Sequence, residues 1–120
     1  MKTVYLCAPN KLGDLILKLI KRIEAQGFKV LSPFIHTNQH ATNEEIFKRN
    51  IEMIKNADIF VVVLKEYGKD LTAEVGMAYA WGKPMVGIDY NADKNDVMAY
   101  YAFSEIIKPV ALEKTLEKYK

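Results

Sequence analysis

The chain has one cysteine (Cys7), two histidines, one tryptophan and a formal net charge of only +2. A single cysteine excludes an intramolecular disulfide and points to a reducing compartment, so a cytoplasmic setting is expected. The small net charge, with lysines scattered rather than gathered in a stripe, argues against a nucleic-acid polymer as partner. No apolar run approaches the roughly 20 residues of a membrane span, and the first one, Thr3 to Cys7, is too short for a signal peptide. His36 and His40 share a loop without a third ligand, which speaks against a metal site. Glycine-rich fingerprints of the dinucleotide or P-loop type are missing too, and no cofactor is expected.

What is present is one folded unit. With 120 residues, 50% hydrophobic and 27% charged, the chain has the size and composition of a single core. No repeat, low-complexity tract or Pro/Gly/Ser-rich linker divides it, so residues 1–120 are read as one domain.

Hydrophobic patterning alternates strand with helix. Thr3 to Cys7 is a short apolar run stopped by Pro9, after which Leu12, Leu15, Ile16, Leu19, Ile20 and Ile23 recur at helical spacing. Gly27 stands where a helix end wants a residue without Cβ, and Phe28 to Leu31 reads as a second strand ending at Ser32-Pro33. His36 to Asn43 is a polar, ligand-facing or mobile loop, followed by a helix through Ile46, Phe47, Ile51 and Ile54 to about Asn56. Ile59 to Leu64 is continuously apolar and β-branched, as a central parallel strand covered on both faces should be. Asp70 to Trp81 reads as a helix, its small residues Ala73, Gly76 and Ala80 expected to lie tight against the sheet, and Met85 to Ile88 as a fourth strand. A short helix over Asp93 to Tyr101, a fifth strand over Phe103 to Ile107 and a closing helix over Val110 to Tyr119 complete the reading. Strictly alternating strands and helices predict an α/β, three-layer, doubly wound (flavodoxin/Rossmann-like) domain with a parallel sheet of about five strands. Ligands bind such folds beyond the carboxyl ends of the strands.

Three segments fall there: Ala8 to Gly13, Ser32 to Thr42 and Lys65 to Glu74. The third runs from the central strand into a helix and carries two carboxylates, Asp70 and Glu74. In a first helical turn a carboxylate meets free N–H groups and the positive end of the helix dipole, which favours its ionised form. Two readings stand on physics by itself: Asp70 caps the helix while Glu74 complements the dipole, or Glu74 is a nucleophile held ionised. Asn10, Lys11 and Gly13, in the first strand-to-helix turn, offer N–H groups and a cation to an anion such as a 5′-phosphate. Cys7 reads as a buried strand residue with no motif that marks a reactive thiol.

The segment Asp70-Leu-Thr-Ala-Glu-Val-Gly-Met-Ala-Tyr-Ala-Trp-Gly-Lys-Pro84 resembles the signature of the nucleoside 2-deoxyribosyltransferase family. Tyr5-Leu-Cys-Ala-Pro9 is similar to that family's first strand and turn, and Ile46 to Val63 to its helix and central strand. The resemblance spans about residues 3 to 90 in the same order. It implies that Glu74 attacks the anomeric carbon of a deoxyribosyl group, expels the base and forms a covalent glycosyl-enzyme, which a second base or water resolves. It further implies that Tyr5, Ala8, Pro9 and Asn10 border the substrate, although Tyr5 can equally pack in the core. Where the family places an aspartate six residues before the glutamate, this chain has Gly68, with Asp70 four before, either standing in from the next turn or capping. Where members carry a base-facing aspartate, this chain has Asn50, which hydrogen-bonds but does not donate a proton to the base. A polar residue from a neighbouring subunit, Asn95 or Asp96 ahead of Met98, is implied to complete the pocket, and with it a homo-oligomer sharing its sites. The expected enzyme acts on 2′-deoxyribonucleosides or their 5′-monophosphates in nucleoside salvage, by transfer or hydrolysis. The rival reading is a non-catalytic nucleotide-binding module on the same fold, which Gly68 and Asn50 favour.

Overall fold

A computed structural model describes residues 1–120. The strands are β1 (Thr3–Cys7), β2 (Lys29–Leu31), β3 (Ile59–Leu64), β4 (Met85–Asp89) and β5 (Glu105–Ile107). The helices are α1 (Gly13–Ala25), α2 (Pro33–His36), α3 (Asn43–Asn56), α4 (Lys69–Ala80), α5 (Val97–Tyr100) and α6 (Leu112–Glu117). The sheet is parallel throughout, in the order β2-β1-β3-β4-β5. The chain therefore winds outward from β1 to β2, returns, and winds the other way from β3 to β5. Between the carboxyl ends of β1 and β3 the direction of winding reverses, and there a crevice opens.

Two apolar layers flank the sheet. On one face α1 and α6 press Ile16, Leu19, Ile23, Leu112 and Leu116 onto Val4, Leu6, Val61 and Val63. On the other, α3 and α4 press Met53, Ile54, Leu71, Val75 and Ala78 onto Tyr5, Cys7, Phe60, Val62 and Leu64. β3 contributes to both layers and all six of its residues are buried, which is why its sequence is apolar without alternation. At the opposite end from the crevice, the Thr3 N–H donates to Asp58 Oδ2 at 2.8 Å and ties the starts of β1 and β3 together.

Several expectations change in detail. The loop expected from His36 to Asn43 is shorter, because Ser32-Pro33 starts the extra turn α2 and Thr42 starts α3 with a capping box shared with Glu45. The expected helix over Asp93 to Tyr101 contracts to α5, and the closing helix begins as a 3-10 turn at Pro109–Ala111 before α6. Gly27 and Gly82 follow the ends of α1 and α4 at φ +94° and +69°, where other residues are strained. The clearest correction concerns α4. Ala73, Gly76 and Ala80 face solvent, while Leu71, Val75 and Ala78 meet the sheet, because the larger apolar residues win the buried side.

Candidate active site

The crevice is a cleft of about 930 Å³. Its floor comes from the end of β1 and the turn after it (Cys7, Ala8, Pro9, Asn10, Lys11), one wall from α3 (Ile46, Phe47, Asn50, Ile51), the other from Gly68 to Met77. That volume accommodates a nucleoside-sized ligand, and the lining mixes apolar side chains such as Ile46, Phe47, Ile51 and Met77 with polar and charged ones.

Glu74 lies at the junction of wall and floor. α4 begins at Lys69, so Glu74 stands in its second turn, not in the first as the sequence suggested, and only Asp70 is a first-turn acid. Asp70 does not cap the helix either, since Gly68 occupies that position without a side-chain bond. The consequence for Glu74 is electrostatic. Burial is the largest influence on it and raises its carboxyl above the ordinary glutamate value. Hydrogen bonds from Tyr5 and Cys7 oppose that rise, and the Asp70 charge one turn earlier adds to it.

The donors come from β1. The Tyr5 hydroxyl donates to Glu74 Oε1 at 2.8 Å and the Cys7 thiol donates to the same oxygen at 3.4 Å. Tyr5 unites the two roles the sequence left open. Its ring is fully buried and stacked on Phe60 at 4.8 Å, while its hydroxyl reaches the carboxylate. Burial raises both Tyr5 and Cys7 well above their ordinary values, so both keep their protons and act as donors.

Asn50, on α3, lines the cleft and accepts at Oδ1 from the buried Thr37 hydroxyl at 2.7 Å. Asn95, Asp96 and Met98 lie elsewhere. Asp96 and Met98 border a second, open hollow of about 450 Å³ with Tyr67, Gly68, Lys69 and Thr72, and Asn95 sits in the adjoining turn. The Tyr67 hydroxyl donates to Asp96 Oδ2 at 2.8 Å, which joins the loops after β3 and β4. Within one chain, then, Glu74, Asp70, Asn50, Gly68, Ala8, Pro9 and Asn10 share a cleft, Tyr5 touches it through Glu74, and the other three do not reach it. Gly13 also stays out of it. Its role is steric, because a Cβ there would come within 2.9 Å of the Phe34 ring.

Sequence reasoning missed Cys7 as a cleft residue, and took in Gln39, Asn43, Glu66 and Lys69 only as members of candidate loop segments without singling them out. For Cys7 a signal existed, since it is two residues from Tyr5 and so on the same face of β1. Glu66, inside the candidate segment Lys65 to Glu74, takes a left-handed φ of 47° in the loop from β3 to α4, with its N–H donating to Asn91 Oδ1 at 3.3 Å. No group of three or more His, Cys, Asp or Glu side chains is placed to hold a metal ion.

The 2-deoxyribosyltransferase of Bacillus psychrosaccharolyticus superposes with a TM-score of 0.78 at 21% identity, over 98% of this chain and 92% of that one. A CMP N-glycosidase of Clostridium botulinum superposes with a TM-score of 0.71 at 22% identity, over 99% of this chain and 100% of that one. A response regulator receiver domain from Clostridium thermocellum also superposes, at 0.67 and 8% identity over 98% of this chain and 93% of that one, so the likeness of fold extends beyond one chemistry. No curated protein sequence matches the chain. A family model described as nucleoside 2-deoxyribosyltransferase matches residues 4–108, which takes in β1 from Val4 on, the other four strands and the Glu74 helix, and the chain belongs to that family.

Proposed function

We propose that this enzyme acts on the N-glycosidic bond of 2′-deoxyribonucleosides or their 5′-monophosphates, with Glu74 as nucleophile. The observation that carries the reading is the Glu74 carboxylate itself: desolvated at the bottom of a nucleoside-sized cleft, yet held by two protonated donors on one oxygen. A desolvated anion beside an oxocarbenium-like transition state stabilises the charge that develops there. In the first step Glu74 bonds to the anomeric carbon as the carbon–nitrogen bond breaks, and the bonding pair leaves with the base. Asp70, at the cleft rim one helical turn away, is assigned to protonate the departing nitrogen. In the second step a base or water attacks the same carbon, returns its proton to Asp70 and releases Glu74. In this reading Asn50 bonds the base, Ala8 and Pro9 border the sugar, and Asn10 and Lys11, which line the same cleft, offer N–H groups and a cation to a 5′-phosphate.

A second copy of the chain completes the site in this reading. Support comes from Met98 and Val97, which are 88% and 58% exposed beside Asp96, on a surface no part of the same chain covers. Asn95 or Asp96 then enters the partner's cleft.

The test incubates the protein with deoxynucleosides and their monophosphates, with and without a free acceptor base, and follows base release and exchange chromatographically. Base release that falls at least about 1,000-fold in Glu74→Ala is expected. Equal turnover by that variant would remove Glu74 from the chemistry. Tight binding with no turnover by the parent would favour the non-catalytic module, which the neutral Asn50 and the bare Gly68 otherwise recommend.

A further inference from the structure

The two oxygens of Glu74 are held unequally. Oε1 accepts from Tyr5 at 2.8 Å and from Cys7 at 3.4 Å, and no protein donor reaches Oε2. No buried side-chain oxygen of the molecule lacks a partner, so Oε2 is not buried but open to the cleft that Glu74 lines. We propose that Cys7 is a positioning residue for the nucleophile, pinning Oε1 jointly with Tyr5 so that Oε2 is the oxygen presented to the anomeric carbon. The proposal rests on the reading of Glu74 as nucleophile.

The geometry leaves the thiol little else to do. Cys7 is 3% exposed in an inner strand of the sheet, and burial and the neighbouring carboxylate keep it protonated, which disqualifies it as a nucleophile or thiolate ligand. As a protonated thiol it is a donor, and the acceptor in reach is Glu74 Oε1. Tyr5 and Cys7 point the same way from β1, two residues apart, whereas Glu74 comes from α4, 67 residues further along than Cys7. Two donors from a rigid strand fix both the rotation of the carboxylate and the distance of helix from strand. One donor would leave the carboxylate free to turn about its bond to the side chain.

The titratable and charged groups around Glu74 are Tyr5 and Cys7 from β1, Asp70 from α4, and Lys11, Glu66 and Lys69 lining the cleft; α3 contributes the neutral Asn50. A donor to the carboxylate favours its ionised form, so losing one raises the pH at which Glu74 ionises and strengthening one lowers it. Cys7→Ala deletes the donor, and Cys7→Ser substitutes a stronger one of similar size. The acid limb of kcat/KM is expected to move up by about 0.5 pH unit in Cys7→Ala and down by a similar amount in Cys7→Ser. kcat is expected to fall about three- to tenfold in Cys7→Ala with KM little changed, and to recover in Cys7→Ser.

A packing role alone would not move the two limbs in opposite directions. Limbs that coincide with the parent's, or that move the same way in both variants, overturn the proposal. A ¹³C titration of the Glu74 carboxyl, assigned by its loss in Glu74→Gln, reads the same order without turnover. If the protein releases no base yet the carboxyl titrates in the order Ser, parent, Ala, the nucleophile reading fails while the hydrogen bond stands. If the carboxyl titrates identically in all three, Cys7 has no such role whatever the activity. Should Cys7→Ala fail to fold by circular dichroism, Cys7→Ser against the parent still gives the sign.

Discussion

The two faces of the sheet are built from the same strands and do different work. Toward α1 and α6, β1 sends Val4 and Leu6, and these end against apolar carbon from Ile16, Leu19, Ile23 and Leu116. Toward α3 and α4 it sends Tyr5 and Cys7, and these end at a carboxylate oxygen. The alternation of side chains along a strand makes this possible within five residues. One face supplies stability at no chemical risk, and the other spends part of its packing on a desolvated charge. Their difference says where a mutation should cost folding and where it should cost catalysis.

The largest effect belongs to the closed face. Leu19 is fully buried in the α1/α6 layer and does not line the cleft. Leu19→Ala removes its side chain and leaves a cavity, at a cost of about 3 kcal/mol. The midpoint of urea unfolding should fall accordingly, while kcat per folded molecule at low temperature stays within about twofold of the parent. A large loss of kcat in the folded variant would show that the two faces are not independent.

Tyr5→Phe applies the same logic to the open face. The variant keeps the ring stacked on Phe60 and deletes only the hydroxyl that reaches Glu74. Stability should change little, and kcat should fall about tenfold, equivalent to about 1.4 kcal/mol of barrier. The acid limb of kcat/KM should move up, because the lost donor favoured the ionised carboxylate. Steady-state kinetics across pH and an unfolding curve together separate this outcome from simple destabilisation.

What the sequence made legible follows the same division. β3 was visible from six consecutive apolar residues, and the doubly wound order from strands alternating with helices, because burial on both faces leaves its mark on composition. Facing was harder. In α4 the sets Ala73, Gly76, Ala80 and Leu71, Val75, Ala78 both recur at helical spacing, and only the larger apolar area of the second decides which one is inside. The resemblance around Glu74 located the carboxylate, yet the electrostatics could not be read from it. Helix α4 starts at Lys69 and so carries Glu74 into the second turn, beyond the first-turn N–H groups, where burial raises its carboxyl. Cys7 looked inert because its partner is 67 residues away, a separation that no local pattern encodes.

The smallest expected effect is also the most diagnostic of the charge on the open face. Burial raises the Glu74 carboxyl above its unfolded value despite the two donors, so the folded protein holds that proton more tightly than the unfolded chain does. A group shifted in this direction costs stability once it ionises: the penalty is absent below the unfolded value, about 4.3 for glutamate, and complete above the raised folded one. Glu74→Gln removes the ionisation and keeps the shape, with an amide that still accepts from Tyr5. The variant should therefore be slightly more stable than the parent at pH 7, and the advantage should shrink as pH falls and disappear below about pH 4. Paired thermal melts from pH 4 to 8 measure it. A constant difference across that range would mean that Glu74 titrates in the fold as it does in the unfolded chain, and the contrast between the two faces would then be one of shape and not of charge.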